Sequence, residues 1–216
     1  MKALEKWGGY AAIIEALAYI AGFTMFMTVL DTSAYGSLAE RLAYLSGQQG
    51  ALYMVNFAIY LLFGVMLVVL SLALRSRLRT ETPALADISA ALGLIWATLV
   101  IASGMIANAG FAAVLKAHAT DPAAAEILWT SFSTLQDALG GGNELVGGLW
   151  VLVISAAGAR GGCLPRALNW LGYVVGGAGV LTTVPALGDA AAVFGLGQIA
   201  WFLWLGAALL RSTKTA

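Results

Sequence analysis

Six long apolar stretches constrain the fold of this chain more than any other feature of its sequence. One transmembrane helix needs roughly 20 apolar residues, and backbone groups in hydrocarbon must be hydrogen-bonded within a helix or a closed barrel. None of the stretches shows the alternating pattern of barrel strands. The sequence therefore predicts an all-α polytopic membrane protein, one helical-bundle domain over residues 1–216. Its six transmembrane helices are expected at residues 7–30, 51–74, 88–113, a segment ending at 158, 167–187 and 190–210.

The composition supports the same class of protein. Of the 216 residues, 61% are hydrophobic and 10% are charged, against about 45–50% apolar and about 25% charged residues in soluble domains. Lysine plus arginine and aspartate plus glutamate both number 11, so the net charge of zero offers nothing to attract nucleic acid. The expected partner is the lipid bilayer, and nucleic acid is not expected.

The basic residues are sorted between the two sides of the predicted bundle. If the N-terminus is inside, only Arg41 and Lys116 fall outside. Because basic residues concentrate in cytoplasmic loops, the sequence predicts a multi-pass protein of the inner membrane with both termini in the cytoplasm. The residues on the inner side are then Lys2, Lys6, Arg75, Arg77, Arg79, Arg160, Arg166, Arg211 and Lys214.

The first outer connection is predicted to contain a short amphipathic helix. Ser37 and Glu40 have the spacing of a capping box, Leu42 and Leu45 continue an apolar helical face, and Gly47 stands where such a helix ends. This helix is expected on the outer side of the bundle.

The second outer connection shows a similar pattern. Asp121 is a typical N-cap, with Pro122 at the first helical position. The following helix would be too long for a bilayer if it continued to residue 158, so a break is expected at Gly140, Gly141 and Gly142. Its apolar stripe is predicted to consist of Leu128, Phe132, Leu135 and Leu139.

Small residues mark one face of the fifth predicted span. Gly172 and Gly176 form a GxxxG pattern, and Gly179 extends it. Such residues let helix backbones approach closely in a membrane. The pattern predicts tight packing of the fifth span against the sixth.

The entry to the fifth span also carries a family resemblance. Residues 164–173 read LPRALNWLGY and lead into a glycine-rich helix. This Pro-Arg entry, together with chain length and span number, resembles the bacterial six-span integral membrane family known as domain of unknown function 4386. The resemblance implies a bacterial inner-membrane protein and supplies no catalytic residues.

Two glutamates fall inside predicted spans. At the usual helical rise, Glu15 lies about 12 Å and Glu144 about 21 Å above the inner interface. A charged side chain at mid-bilayer costs roughly 2.5 to 3.5 kcal/mol, so each needs a hydrogen-bond partner, a cation or a proton. Both are therefore candidates for proton or cation coupling, although a structural carboxyl remains an equal alternative for Glu144.

Further polar side chains lie in the outer half of five spans. Interhelical hydrogen bonding explains each of them singly, but as a set they favour a shared polar pocket. The predicted ligand-binding residues are Glu144, Asn143, Asn56, Asn108, Thr182 and Gln198.

Three classes of function remain open. The favoured one is a non-catalytic binding or assembly protein whose outer pocket holds a lipid-like or small amphiphilic ligand, or docks a partner membrane subunit or a second copy. The alternative is a small proton- or cation-coupled transporter that uses Glu15 and Glu144. A membrane enzyme is least favoured, because no nucleophile is grouped with a base.

The sequence identifies no cofactor and predicts no metal site. Cys163 is the single cysteine and His118 the single histidine, so the sequence offers neither an intramolecular disulfide nor a zinc cluster. Buried tryptophans such as Trp96 are read as core packing first, with a pocket for an apolar ligand as the alternative.

Overall fold

Helices form every regular element of the described chain. The structure, a computed structural model, describes residues 2–139 and 143–212. The elements are α1 (Lys2–Met27), α2 (Leu38–Gly47), α3 (Gln49–Asn56), a π-helical segment (Phe57–Leu62), α4 (Phe63–Leu78), α5 (Pro83–His118), α6 (Pro122–Gly161), α7 (Arg166–Leu181), a 3₁₀ turn (Pro185–Leu187) and α8 (Ala190–Ser212). The all-α prediction is confirmed.

Five of these helices are long and apolar enough to cross a membrane: α1, the run Gln49–Leu78, α5, α6 and α8. The fifth predicted span is shorter than expected, because α7 has 16 residues, about 24 Å at the helical rise. It stops before Pro185, which lacks the N–H that would continue the helix and restricts Val184 before it to extended backbone. The count of six spans therefore stays a prediction.

The long helices form a closed ring. Each packs against two neighbours in the order α1, α4, α5, α6, α7, α8 and back to α1. The first and last helices meet through glycines: a Cβ added to Gly206 would lie 2.8 Å from the carbonyl oxygen of Gly9. The ring is thus closed by backbone contact between the two ends of the chain.

Aromatic side chains fill the centre of the ring. Trp150 lies between Trp96 and Trp201, with ring centroids 5.5 Å and 5.6 Å apart. Phe63 and Phe202 pack beside them, and all five side chains are buried. Of the three tryptophans, Trp96 also lines the cavity that is described in the next section, whereas Trp150 and Trp201 do not.

The glycine face of α7 contacts α6 as well as α8. Gly179 lies against Phe194 of α8, which agrees with the predicted packing of the last two helices. Its backbone-to-backbone contacts, however, are with α6: a Cβ on Gly148 would lie 2.6 Å from the Gly176 carbonyl oxygen. The expectation named one neighbour of this face and missed the other.

One arginine joins four segments at the end of the bundle that contains both chain ends. The guanidinium of Arg77 on α4 donates to the carbonyl oxygen of Cys163 (3.1 and 2.9 Å), to Glu5 Oε2 (2.9 Å) and to Ser212 Oγ (2.9 Å). These partners belong to α1, the connection between α6 and α7, and α8. We call this end of the molecule the Arg77 end.

The predicted capping box at the start of α2 is confirmed. Ser37 Oγ accepts from the Glu40 backbone N–H, and Glu40 Oε2 accepts from the Ser37 backbone N–H, both at 3.2 Å. The helix ends at Gly47 as expected. Its apolar face is covered by protein, since Leu42 is buried with Val114 of α5 and Ala125 of α6. α2 thus caps the ends of α5 and α6 that lie away from the Arg77 end.

The start of α6 agrees with the sequence prediction in its cap and differs in its buried face. Asp121 accepts a hydrogen bond from Ala124 (3.1 Å), and Pro122 is the first helical residue. The predicted stripe is wrong for Leu128 and Leu135, which are 39% and 50% exposed. Phe132 packs against α5 and agrees with the predicted stripe, and the other residues of α6 on this face are Ala125 and Trp129.

The predicted break in α6 falls at Gly140, Gly141 and Gly142. These residues lie outside the described part of the chain, so the break stays a prediction. At 36 residues, α5 corresponds to about 54 Å of helix, which exceeds the roughly 30 Å of a hydrocarbon core.

Candidate functional site

A cavity of about 560 Å³ lies toward the α2 end of the bundle. Its size falls within the range of about 300 to 1,000 Å³ that is typical of small-molecule sites. α1, the π-helical segment, α4, α5, α6 and α8 contribute to its wall. The lining residues are Tyr19, Gly22, Phe23, Phe26, Met27, Ile59, Tyr60, Phe63, Trp96, Val100, Asn143, Glu144, Ala191, Ala192, Phe194 and Gly195.

The cavity has a buried floor and an apolar mouth. Phe63, Trp96 and Phe194 on the floor are at most 4% exposed. The exposed lining residues are on α1 and α8, namely Phe23, Phe26, Met27 and Ala192. The cavity therefore opens between the first and last helices, through a rim without charged side chains.

Asn143 and Glu144 supply the polar part of the α6 wall. Asn143 Nδ2 donates to Ser103 Oγ on α5 at 3.2 Å, which fixes the amide, while Asn143 Oδ1 is buried and has no hydrogen-bond partner among the described residues. Glu144 is half-buried. One helix thus contributes a carboxyl and an amide side chain to the lining of a largely apolar cavity, and ligand pockets use a few such polar groups to orient a ligand.

The π-helical segment shapes the opposite wall. It follows Asn56 directly and contributes Ile59 and Tyr60 to the cavity. The Tyr60 hydroxyl accepts from Gln136 Nε2 of α6 at 3.1 Å. Single π-helical turns in long helices frequently occur at functional sites, and here the turn lies where the helix passes the cavity.

The predicted polar cluster is only partly brought together. Asn143 and Glu144 line the cavity. Asn56 Nδ2 donates instead to Asn108 Oδ1 at 2.9 Å, an interhelical pair. Thr182 Oγ1 donates to the Gly179 carbonyl oxygen within its own helix.

Gln198 and Glu15 are fully buried outside the cavity lining. Among the described residues, neither Gln198 amide atom and neither Glu15 carboxyl oxygen has a hydrogen-bond partner. Glu15 lies one helical turn from Tyr19, and the Tyr19 phenol is close enough to Glu15 and Glu144 to interact electrostatically with both. One cavity residue thus lies near both of the carboxyl groups that the sequence singles out.

Sequence reasoning missed the aromatic part of the site. Tyr19, Gly22, Phe23 and Phe26 repeat at helical spacing along α1, a signal that could have identified this face. The pattern alone does not distinguish a cavity wall from a lipid-facing stripe, because both are apolar. The sequence offers an apolar pocket as the alternative role of Trp96, and Trp96 does line the cavity.

Comparison with known proteins places the chain in one family. The fold and the site together define a multi-pass α-helical membrane protein with a cavity inside its bundle. The chain belongs to the family described as Domain of unknown function (DUF4386), whose profile matches residues 8–207. No curated protein and no solved structure matched the chain.

Proposed function

We propose that this protein is a non-catalytic membrane protein that holds a small amphiphilic or lipid-like ligand in its cavity. The observation that carries the proposal is the cavity of about 560 Å³, with an aromatic floor and with its carboxyl and amide groups on one wall. A molecule with an apolar chain and a polar head matches both parts of this surface.

The position of the mouth supports entry from the bilayer. Phe23, Phe26 and Met27 at the rim are 37%, 45% and 75% exposed, which is compatible with lipid and costly in water. An amphiphile dissolved in the membrane would therefore reach the cavity between α1 and α8 without crossing an aqueous layer.

A blocking substitution tests this proposal. Ala192→Trp places an indole at the mouth, whereas Val193→Trp adds the same group at a neighbouring exposed position that does not line the cavity. Native mass spectrometry of the gently solubilised protein should show a retained small molecule in the wild type and in Val193→Trp, and its loss in Ala192→Trp. Equal retention in both variants, or no retained molecule in the wild type, would contradict the proposal.

The same binding function could instead serve a partner subunit or a second copy of this chain, which would dock at the mouth in place of an amphiphile. The same spectra distinguish it, since a retained polypeptide adds a mass far above that of any amphiphile.

The proposed setting is a bacterial inner membrane crossed six times, with both termini in the cytoplasm. The Arg77 end gathers the starts of α1, α5 and α7 and the ends of α4, α6 and α8. All but one of the predicted inside residues lie on these helix ends or in their connections; Lys214 is outside the described residues. The positive-inside rule then orients this end toward the cytoplasm.

A proton- or cation-coupled transporter is the second candidate function. Its specific support is Glu15, fully buried without a partner and one turn from a tyrosine that also interacts with Glu144. Against it, the chain shows no inverted repeat. Glu15→Gln keeps the shape of the side chain and removes its titration, so we expect normal folding and unchanged ligand retention. Abolition of a proton-coupled uptake by this variant, at normal expression, would favour the transporter instead.

A further inference from the structure

We propose that the head group recognised in the cavity is a positively charged ammonium on an apolar chain. This inference rests on the proposed binding function and deepens it, because the cavity wall distinguishes between cationic, neutral and anionic amphiphiles. Three features support it: the acceptors on α6, the absence of basic side chains from the lining, and the aromatic rings.

The α6 wall provides acceptors where the ligand must provide donors. Glu144 contributes two carboxyl oxygens, and Asn143 Oδ1 is buried without a partner in the described part of the chain, while the donor side of the same amide is occupied by Ser103. A buried acceptor without a partner costs roughly 1 to 3 kcal/mol. A protonated primary amine has three N–H donors and no acceptor, so it complements this group of atoms.

The charge of the lining is also one-sided. Glu144 is the one ionisable carboxyl group among the described lining residues, and these include no lysine, arginine or histidine. A carboxylate in a largely apolar cavity attracts a cation more strongly than it would in water. A fatty acid would instead bring a second negative charge beside Glu144.

The aromatic rings add to the preference for a cation. Seven of the sixteen lining residues are phenylalanine, tyrosine or tryptophan. The negative face of such rings attracts ammonium groups, and aromatic cages recognise alkylated ammonium in many proteins. The same rings provide apolar contact for the chain, so both parts of the ligand are accommodated.

A matched ligand series tests the head group. Decylamine, decyltrimethylammonium, decanol and decanoate share one chain length and differ in charge, and each is titrated by native mass spectrometry against the wild type, Glu144→Gln and Glu126→Gln. Glu126 is exposed on the same helix, eighteen residues before Glu144, so its variant makes the same charge change away from the cavity. Phosphatidylethanolamine is titrated in parallel, because it carries the same ammonium on a two-chain lipid.

We expect decylamine to bind about tenfold or more tightly than decanol, and decanoate to bind most weakly. Glu144→Gln should abolish this preference, and Glu126→Gln should keep it. Tight retention of phosphatidylethanolamine in place of decylamine would support the ammonium and assign it to a lipid head group. Equal binding of all four amphiphiles, or a preference for decanoate, would overturn the inference while the binding function stands. Failure of every amphiphile to bind would overturn both.

Discussion

At the scale of single residues, two arginines that lie two positions apart on α4 have very different surroundings. Arg77 is 20% exposed and donates to three other segments, whereas Arg75 is 41% exposed and pairs with Asp87, which is 61% exposed. Exposed ion pairs contribute about 0 to 1 kcal/mol, but charge-assisted bonds at a partly buried site contribute more. The sequence assigned both residues alike to the inner side, because hydropathy does not reveal which side chain points into the bundle.

Substitution of Arg77 should show this difference. Arg77→Ala removes the bonds to Glu5, Ser212 and the Cys163 carbonyl oxygen, and we expect it to lower the free energy of unfolding by about 1.5 to 3 kcal/mol. Arg75→Ala is the matched control and should cost less than about 1 kcal/mol. Thermal unfolding in detergent measures both, and equal losses would contradict the role of Arg77 as a junction.

At the scale of secondary-structure elements, the contact between α6 and α7 depends on glycines, which have no side chain to hold the two helices apart. Gly148 and Gly176 bring the two backbones together, and neither position has room for a Cβ. Gly177, the next residue on α7, has open space around its Cα. Glycine content was evident from the sequence, yet the helix met by each glycine depends on the rotation of α7, which composition does not specify.

Two alanine substitutions separate these roles. Gly148→Ala forces a methyl group against the carbonyl oxygen of Gly176, so we expect a loss of about 1 to 3 kcal/mol from overpacking. Gly177→Ala meets no neighbour and should be neutral or stabilising by up to about 1 kcal/mol, because alanine has the higher helix propensity. Chemical or thermal unfolding in detergent gives the comparison, and a harmless Gly148→Ala would refute the close approach.

At the scale of the whole molecule, the sequence predicted local features better than the contacts between helices. Hydropathy identified the apolar segments, and cap chemistry identified the starts of α2 and α6, because each signal lies within a few neighbouring residues. The cavity combines Tyr19 and Phe194, which are 175 positions apart, and so depends on the order of the ring. Their depth in the predicted spans alone grouped Asn56 and Asn108 with this site. The two side chains instead hydrogen-bond to each other and do not line the cavity.

The orientation of the bundle is tested by its single cysteine. Cys163 lies at the Arg77 end between Gly161 and Arg166, so an impermeant thiol reagent should not label it in intact cells, whereas a permeant maleimide should. Burial raises the pKa of the Cys163 thiol, although Arg77 nearby lowers it in part. Because the thiolate is the reactive form, labelling should be slow at neutral pH and accelerate as the pH rises.

A denatured sample supplies the control for that measurement, since its thiol is fully accessible. Rapid labelling of intact cells by the impermeant reagent would place the Arg77 end outside and reverse the proposed orientation.

The pairing of α1 with α8 has a consequence for the order of synthesis. Gly9 and Gly206 are 197 residues apart in the chain, so α1 must wait in the bilayer until the ribosome has delivered α8. Throughout that interval the α1 face that packs on α8 is open to lipid or to a chaperone, and the cavity lacks one of the two helices at its mouth. The nascent protein can therefore complete the proposed ligand site only after α8 has entered the membrane.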